Sequence, residues 1–207
     1  MIRRILSIGL PGRPPLPRRQ RGFSIIELMM SLVLVAIGTA LALPSYRDMV
    51  EKRQVTNAAE QLASFVNSAQ GIAMKSNRAV TIDFKYEDGD DWCVGATLAA
   101  ECACDEPESE SYCKIDDQPF VLDHSHTGGL DMMHSMGSSD GSYSFDPIRG
   151  LASGEVLPLT MELRSPSGDF RINLMVNEVG RVILCSGDSS HAVPGYEPCP
   201  PQVEEES

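Results

Sequence analysis

An apolar segment near the N-terminus is the feature that most constrains what this chain can fold into. It runs from Phe23 to Leu43 and holds one charged residue, Glu27, among its 21 residues. As a helix it would be roughly 32 Å long at about 1.5 Å per residue, which is enough to cross the hydrocarbon core of a bilayer. The segment therefore predicts a helix that spans a membrane once.

The basic residues before this segment predict its orientation. Six of the 17 Lys and Arg residues lie in the first 22 positions, which contain no Asp or Glu. Positive charge keeps this end of a membrane helix in the cytoplasm, so the rest of the chain is expected outside it. The six residues are Arg3, Arg4, Arg13, Arg18, Arg19 and Arg21.

The remainder of the chain is strongly acidic. Residues 23–207 hold 11 basic and 29 acidic residues, a net charge of -18, against -12 for all 207 residues. Such a body repels nucleic acid and anionic lipid unless its cations are clustered. Because 42% of the residues are apolar, the chain can still build a core, which argues against a disordered or fibrous protein.

Two processing models fit the apolar segment. A secretory signal would use Ala40-Leu41-Ala42 as its cleavage site and release a protein that begins near Leu43. However, the segment is longer than the usual apolar region of such a signal, which has about 7–15 residues. It also carries a carboxylate near its start. Both features favour a helix that is retained in the membrane.

The junction before the helix reads Arg21-Gly22-Phe23-Ser24-Ile25-Ile26-Glu27 and resembles the class III signal of type IV pilins and pseudopilins. The resemblance implies that a prepilin peptidase cleaves between Gly22 and Phe23, methylates the new N-terminus at Phe23 and leaves the helix in place. Glu27 would then be the fifth residue of the mature chain. Pro44 would be the twenty-second, where many pilins have a helix-kinking proline.

The carboxylate of Glu27 has a physical role in that model. An ionised carboxylate in hydrocarbon costs several kcal/mol unless it is paired. In an assembled filament the amine of a neighbouring subunit's Phe23 could pair with it. The alternative is a Glu that reaches the interface from a helix end. Its fixed offset from the cleavage point favours the pairing role.

After Pro44 the pattern changes to an amphipathic helix and then to strands. Apolar residues recur at a spacing of three and four as far as Ser76, and alternating segments follow. We predict an α+β, pilin-like fold in which a long N-terminal helix packs on an antiparallel sheet. The predicted helix positions are Val55, Ala58, Ala59, Leu62, Phe65, Val66, Ala69, Ile72 and Ala73, and the predicted strands are Val80–Tyr86, Phe120–Leu122, Tyr143–Phe145, Leu157–Leu163, Phe170–Val176 and Val182–Leu184.

The predicted organisation has four parts. These are a cleaved leader at 1–22, a transmembrane half-helix at 23–43, an amphipathic half-helix at 44–76 and a β-rich periplasmic head at 77–207. Within the head, the acidic, Gly/Ser-rich and Cys-bearing stretch at about 87–141 is interpreted as a long loop insertion. The last three strands are expected to form a meander, with an edge position where Pro158 lies.

Six cysteines in an exported chain favour disulfides. Cys185 and Cys199 enclose a short loop and are the predicted pair beside the last strand. Three pairings remain open among the other four, and Cys102 and Cys104 are too close for an easy mutual bridge, so each is expected to pair outward. A zinc site is the alternative. The other four are Cys93, Cys102, Cys104 and Cys113.

Metal sites are weaker hypotheses. His124, His126 and His134 lie near Asp123 and Asp131 and have metal-ligand chemistry, but a polar loop explains them as well. The acidic run at 87–91 has oxygen ligands that calcium prefers, yet it lacks the register of a calcium loop, so a solvated turn is expected. We predict no metal and no cofactor.

The C-terminal part resembles the GspH/FimT group of pilin-like proteins. The similarity lies in NRAVTIDF at 77–84, SYSFDPIRGLASG at 142–154 and VNEVGRVILC at 176–185. The resemblance implies a minor subunit of a type II secretion pseudopilus or of a type IV pilus, without catalytic activity. Some FimT-type pilins bind DNA through basic residues in the closing turn. Here Arg181 is present but Ile183 replaces a second basic residue, so we do not expect DNA binding.

Together these features predict a minor pseudopilin of a type II secretion system. It would lie in the bacterial inner membrane with its head in the periplasm and would assemble through its helix with other minor and major pseudopilins. The prepilin peptidase and the inner-membrane assembly platform are further expected partners. The alternatives are a minor pilin of a type IV pilus, with a role in fimbrial biogenesis or DNA uptake, and, more distantly, a periplasmic metallo- or thiol enzyme that uses the His124–His134 loop or Cys102 and Cys104.

Overall fold

The computed structural model describes residues 22–87, 91–128, 130–134, 140–187 and 192–200. It divides into two compact units, Met1–Leu43 and Pro44–Ser207. The helix α1 (Ile25–Ser76) contributes to both. It is long and apolar enough to cross a membrane, with a mean hydropathy of 2.3 in its most apolar stretch. The predicted helix therefore exists and ends at the predicted residue.

The second unit contains antiparallel sheets. One sheet has five strands in the order β5-β2-β1-β7-β8, another has four in the order β11-β10-β9-β6, and β3 pairs with β4 alone. The α+β fold with a long N-terminal helix on antiparallel strands is confirmed. The strands are β1 (Val80–Glu87), β2 (Asp91–Thr97), β3 (Lys114–Ile115), β4 (Gln118–Pro119), β5 (Val121–Asp123), β6 (Asp131–His134), β7 (Gly141–Phe145), β8 (Ala152–Ser153), β9 (Leu159–Arg164), β10 (Arg171–Val176) and β11 (Val182–Ser186).

One face of α1 forms the centre of the core. Its residues recur at helical spacing and belong to the same buried cluster as residues from both large sheets. Four of the seven buried helix residues are alanines. The buried helix residues are Val55, Ala58, Ala59, Leu62, Val66, Ala69 and Ala73, and the largest buried sheet residues include Ile82, Phe84, Trp92, Tyr143, Phe145, Leu159, Met161, Leu163 and Ile172.

The stretch at 87–141 is not a loop insertion, and that expectation was wrong. It contributes β2 and β5 to the five-stranded sheet and β6 to the four-stranded sheet, and of these the sequence predicts only β5, as the strand Phe120–Leu122. Trp92 is buried on β2, and its indole N–H donates a hydrogen bond of 2.8 Å to the Leu130 carbonyl oxygen. Short strands broken by glycines, cysteines and acidic residues gave no clear alternating pattern.

The C-terminal meander is confirmed. β10 pairs antiparallel with β9 on one side and with β11 on the other. β9 begins at Leu159 rather than at Leu157, because Pro158 has no N–H to donate to a neighbouring strand. β6 pairs with the other edge of β9 from Met161 to Arg164, so β9 is an inner strand over these residues, and the edge position was expected only at its start beside Pro158.

A single side chain of α1 holds two turns of the head. The Gln70 side-chain amide donates hydrogen bonds to the carbonyl oxygens of Gly150, at 2.7 Å, and Gly180, at 3.1 Å. Gly180 has φ +73°, and a Cβ there would lie 2.3 Å from the Gly150 carbonyl oxygen and 2.5 Å from the Gln70 amide nitrogen. Only glycine fits this contact without displacing its neighbours.

We predict that Gly180→Ala lowers the free energy of unfolding by more than about 1 kcal/mol, because it adds a steric clash to an unfavourable φ. Thermal unfolding of the full chain in detergent would measure this. Gly168→Ala is the matched control, since Gly168 has φ +77° with nothing within 4 Å of a Cβ. Equal losses in the two variants would show that the contact with Gln70 and Gly150 is unimportant.

Candidate functional site

The predicted cleavage point lies just before α1. Gly22, Phe23 and Ser24 precede the helix, and the first backbone hydrogen bond runs from the Leu28 N–H to the Ser24 carbonyl oxygen at 3.1 Å. Phe23 is 82% exposed. The bond between Gly22 and Phe23 therefore lies outside the helix. The basic residues of the leader lie outside the described residues.

Glu27 is in the first turn of α1. The backbone N–H groups of a first turn have no partner within the helix, and their combined dipole favours a negative charge there. Glu27 is exposed and is the only charged residue of the predicted transmembrane half. The carboxylate is thus available to a cation from outside the chain.

The first unit exposes apolar side chains on all sides of its helix. Every residue from Gly22 to Leu43 is exposed, including Ile25, Leu34 and Leu41. A helix that is apolar all round requires a lipid or protein environment that buries it. Pro44 lies inside α1 at the boundary between the units, and its predicted kink stays a prediction.

The second unit is cross-linked by three disulfides. Cys185 and Cys199 are joined, which is the pairing that the sequence indicates. This bridge holds the segment after β11 against Ser186, whose N–H donates to the Glu197 carbonyl oxygen at 2.8 Å and whose carbonyl oxygen accepts from the Cys199 N–H at 3.2 Å.

The other two disulfides overlap along the chain. Cys93 pairs with Cys104 and Cys102 pairs with Cys113, so Cys102 and Cys104 each pair outward. The sulfurs of Cys93 and Cys104 lie within 4.8 Å of an Asp105 carboxylate oxygen, which is a spacing that suits a metal ion. Because both sulfurs are bonded to each other, neither offers a thiolate to a metal.

A buried carboxylate fixes this cross-linked region on the five-stranded sheet. Asp83 of β1 accepts a hydrogen bond of 2.9 Å from the Cys102 N–H and is only 9% exposed. Burial raises the pKa of the Asp83 carboxyl, against the lowering effect of the hydrogen bond from Cys102. The contact thus links β1 to the disulfide region at some electrostatic cost.

The carboxylate of Asp123 fixes the backbone of the loop that carries His124 and His126. Asp123 caps the short 3-10 helix His124–Thr127 by accepting from the N–H groups of Ser125 and His126. Burial alone would raise the pKa of Asp123, but the hydrogen bonds from Ser125 and His126 outweigh it and lower that pKa.

The two described histidine side chains contact different acids. The Nδ1 of His126 lies 2.8 Å from an Asp123 oxygen, and the Nδ1 of His124 lies 3.2 Å from an Asp91 oxygen. His134 is on β6, but its side chain lies outside the described residues, as do residues 88–90 of the acidic run. These contacts give the histidines a structural role in the loop.

Arg181 lies in the turn between β10 and β11. It is exposed, and its N–H donates to the Asn177 side-chain oxygen at 2.8 Å. Ile183 is half-buried on β11, and Glu178 is exposed in the same turn. Asp188 and the acids at 204–206 lie outside the described residues. The turn therefore presents Arg181 beside Glu178 rather than a pair of cations.

Comparison with known families matches most of the chain. Residues 17–43 match the prokaryotic N-terminal methylation motif, and residues 58–191 match the model of the type II transport protein GspH. The chain belongs to the GspH family. It is a minor pilin or pseudopilin of the type IV pilin class, whose members are structural and generally non-catalytic, and this confirms the resemblance found in the sequence.

Individual relatives match this GspH-family chain over shorter stretches. A fimbrial protein of Pseudomonas aeruginosa is 30% identical over 64 residues, which cover 31% of this chain and 42% of that protein. The type IV major alpha-pilin of Moraxella bovis is 42% identical over 45 residues, covering 22% and 28%. The chain thus spans less than half the length of these curated relatives.

A solved structure of the type IV minor pilin FimU of Pseudomonas aeruginosa is also similar. It shares 20% sequence identity with a TM-score of 0.43, and the match covers 72% of this chain and 98% of that one.

Sequence reasoning missed two residues that organise the head. Gln70 is a polar residue among Ala69, Ile72 and Ala73, and such a position on an apolar helix face is a usable signal for a buried hydrogen bond. Asp83 alternates with apolar residues on β1, and this pattern predicts an exposed side chain. The disulfide region covers it, and the sequence does not predict where that region lies.

We predict that Asp83→Asn changes the pH dependence of stability. Because the folded state has the higher pKa, it binds the proton more tightly, so the free energy of unfolding falls as pH rises above the ordinary value of 3.8 and levels off above the folded-state pKa. Asn still accepts from Cys102 and has no such fall. Thermal unfolding between pH 3 and pH 7 would test this, and parallel profiles for the two proteins would contradict it.

We also predict that a fragment beginning at Arg47 does not bind duplex DNA at physiological salt. Affinity for DNA grows with the number of phosphates that Lys and Arg neutralise, and Arg181 has an acidic neighbour. Distant acids are screened beyond about 8 Å, so the local turn decides. A gel-shift titration with Arg181→Ala as control measures this. Salt-sensitive micromolar binding that Arg181→Ala abolishes would overturn the prediction.

Proposed function

We propose that this chain is a minor pseudopilin of a type II secretion pseudopilus, which primes assembly and contacts other subunits at or near the filament tip. The observation that carries the proposal is the exposed apolar helix with a single carboxylate in its first turn, joined to a head of the GspH family. The helix needs an apolar environment, and a membrane before assembly and neighbouring helices after it both supply one.

Processing divides the chain as follows. The leader at 1–22 is removed on the cytoplasmic side by the prepilin peptidase, and Phe23 becomes the methylated N-terminus. Residues 23–43 hold the protein in the inner membrane, residues 44–76 carry the head, and residues 77–207 form the head in the periplasm. The N-terminal methylation motif over residues 17–43 supports this order.

Assembly depends on the pairing of opposite charges in an apolar environment. Glu27 lies four residues after Phe23, so both groups are at the same end of the helix. When a subunit enters the filament, its free amine neutralises the Glu27 carboxylate of a neighbour, or the reverse. A charge pair in a medium of low polarity is much stronger than one in water, so it can fix the axial position of a subunit. The inner-membrane assembly platform would deliver the subunit.

The second candidate is a minor pilin of a type IV pilus. It is favoured by the curated relatives that match the chain, which are fimbrial proteins and a major pilin. Both candidates share the helix, the processing and the assembly contact. They differ in the filament to which the subunit belongs. Secretion and surface piliation in cells that lack the protein would show which filament that is.

We predict that mass spectrometry of the membrane-extracted protein finds N-methylated Phe23 at the N-terminus. Gly22→Ala should block cleavage, because a peptidase that binds extended backbone at this position tolerates little added bulk. Ser45→Ala is a control outside the junction. A mature N-terminus near Leu43, or normal processing of Gly22→Ala, would contradict the model.

We predict that Glu27→Ala inserts into the membrane at least as well as the wild type, since it removes a desolvation cost. It should enter filaments at least tenfold less efficiently, because the neighbouring amine loses its counter-charge. Glu27→Asp is the matched control that keeps the charge. Secretion and surface piliation, measured in the same cells, show which filament is affected, and normal incorporation of Glu27→Ala would show that the carboxylate is incidental.

A further inference from the structure

The strand β11 is an edge strand with an unpaired side. In the four-stranded sheet it pairs only with β10, and the register aligns Val182 with Val176, Leu184 with Leu174 and Ser186 with Ile172. In an antiparallel pair, alternate residues direct their N–H and C=O groups to the partner, and the others direct them away from it. This alternation determines which N–H and C=O groups of β11 point away from β10 and are open to another strand.

Two sets of hydrogen bonds fix that alternation. The Asn177 N–H donates to the Arg181 carbonyl oxygen, and the Gly187 N–H donates to the Arg171 carbonyl oxygen, each at 3.3 Å. These bonds flank the Val176–Val182 and Ile172–Ser186 pairs, so neither pair exchanges hydrogen bonds directly. Val182, Leu184 and Ser186 therefore direct their backbone groups away from β10.

Over residues 192–200 and the other described segments, the chain uses only one of these three positions. The N–H and C=O of Ser186 bond to Glu197 and Cys199, in a parallel bridge at Pro198. Among the residues that the structure describes, none bonds to the outward N–H and C=O of Val182 and Leu184. Within the described part of the chain, two donors and two acceptors therefore stay open along a regular strand.

A groove lies beside this open edge. It has a volume of about 610 Å³ and is bounded by Leu184 of β11 and by a face of α1 whose side chains are mostly small. A strand added to β11 would extend the sheet over this face of α1, where small residues leave space for its inward side chains. The principal lining residues are Ala63, Ser64, Asn67, Ser68, Gly71 and Leu184.

The charge around the groove restricts the occupant. Glu60 lies at its rim and accepts a hydrogen bond of 3.0 Å from the Tyr196 hydroxyl, and Glu197 is exposed beside Ser186. Lys75 also lines the groove, so one cation stands against these two acids. A second copy of this chain is a poor donor, because residues 23–207 carry a net charge of -18 and two such heads repel each other. A segment that fits this groove is therefore an extended strand with apolar side chains on one face and without acidic residues.

We propose that the open edge of β11 receives a strand from a different, neighbouring subunit of the filament. This inference rests on the proposed assembly function and adds a second contact to it, made by the head rather than by the transmembrane helix. Backbone hydrogen bonds at Val182 and Leu184 supply the affinity. The groove beside α1 supplies the specificity, because it accepts only side chains of the incoming strand that fit it.

Amide hydrogen exchange on the full-length protein tests the proposal. The N–H groups of Val182 and Leu184 should exchange rapidly in the detergent-solubilised protein and at least tenfold more slowly in isolated filaments. Ile183 and Cys185 are internal controls, because their N–H groups face β10 in both states. Rapid exchange at Leu184 in filaments would overturn the proposal. Slow exchange in the solubilised protein would also overturn it, since a segment of the chain itself would then cover the edge.

A pair of variants tests the same contact in cells. Val182→Pro removes an outward N–H at the first residue of an edge strand, where proline is tolerated, and Val182→Ala is the control that loses the branched side chain but keeps the N–H. We expect a tenfold loss of incorporation for the proline variant only, with both variants unfolding at similar temperatures. Equal incorporation would overturn the strand contact.

If Val182→Pro fails to fold, the exchange measurement on the wild type decides alone. The outcome also separates this inference from the proposed function. Absence of the wild-type protein from filaments would overturn both. Its presence there with an unprotected Leu184 would overturn the strand contact and leave the assembly function intact.

Discussion

The packing of two antiparallel sheets on one face of α1 is the interaction on which the rest of the head depends. The face includes Ala58, Ala59, Ala69 and Ala73, and it shares one buried cluster with residues of both sheets. Dispersion and the hydrophobic effect act over the whole length of this face. The turns, the disulfides and the open edge of β11 all take their positions from it.

The two parts of α1 have side-chain patterns that suit different surroundings. The N-terminal part is apolar on every side and has no charge except Glu27, whereas the C-terminal part buries one face and exposes polar residues on the other. A subunit that moves from a bilayer into a filament exchanges lipid for neighbouring helices around the first part. The second part keeps its own head throughout. One continuous helix can therefore serve an assembly function and a folding function without compromise between them.

The sequence predicted the elements whose pattern is long and regular. The end of α1, the meander of β9 to β11 and the family all follow from periodicity and from matched motifs. It predicted β5 as Phe120–Leu122 but not β2 and β6, because the apolar residues of those two strands stand beside cysteines, glycines and acids without a clear alternation. Their burial arises from pairing with distant strands, and one sequence does not display such pairing. For the same reason the sequence does not predict the burial of Asp83. Its hydrogen-bond donor, Cys102, lies in the region that two overlapping disulfides hold together.

The positions of the disulfides have a mechanical consequence. All three join parts of the head to each other, and none includes a residue of α1. Tension applied along a filament enters through the helices, so it reaches the head through side-chain packing, through hydrogen bonds such as those of Gln70 and Glu60, and through the short connection after Ser76. The head is thus a cross-linked body on a shaft to which no disulfide ties it. Load on the helix is therefore carried to the sheets by contacts other than disulfides, and the three disulfides resist only the separation of segments within the head.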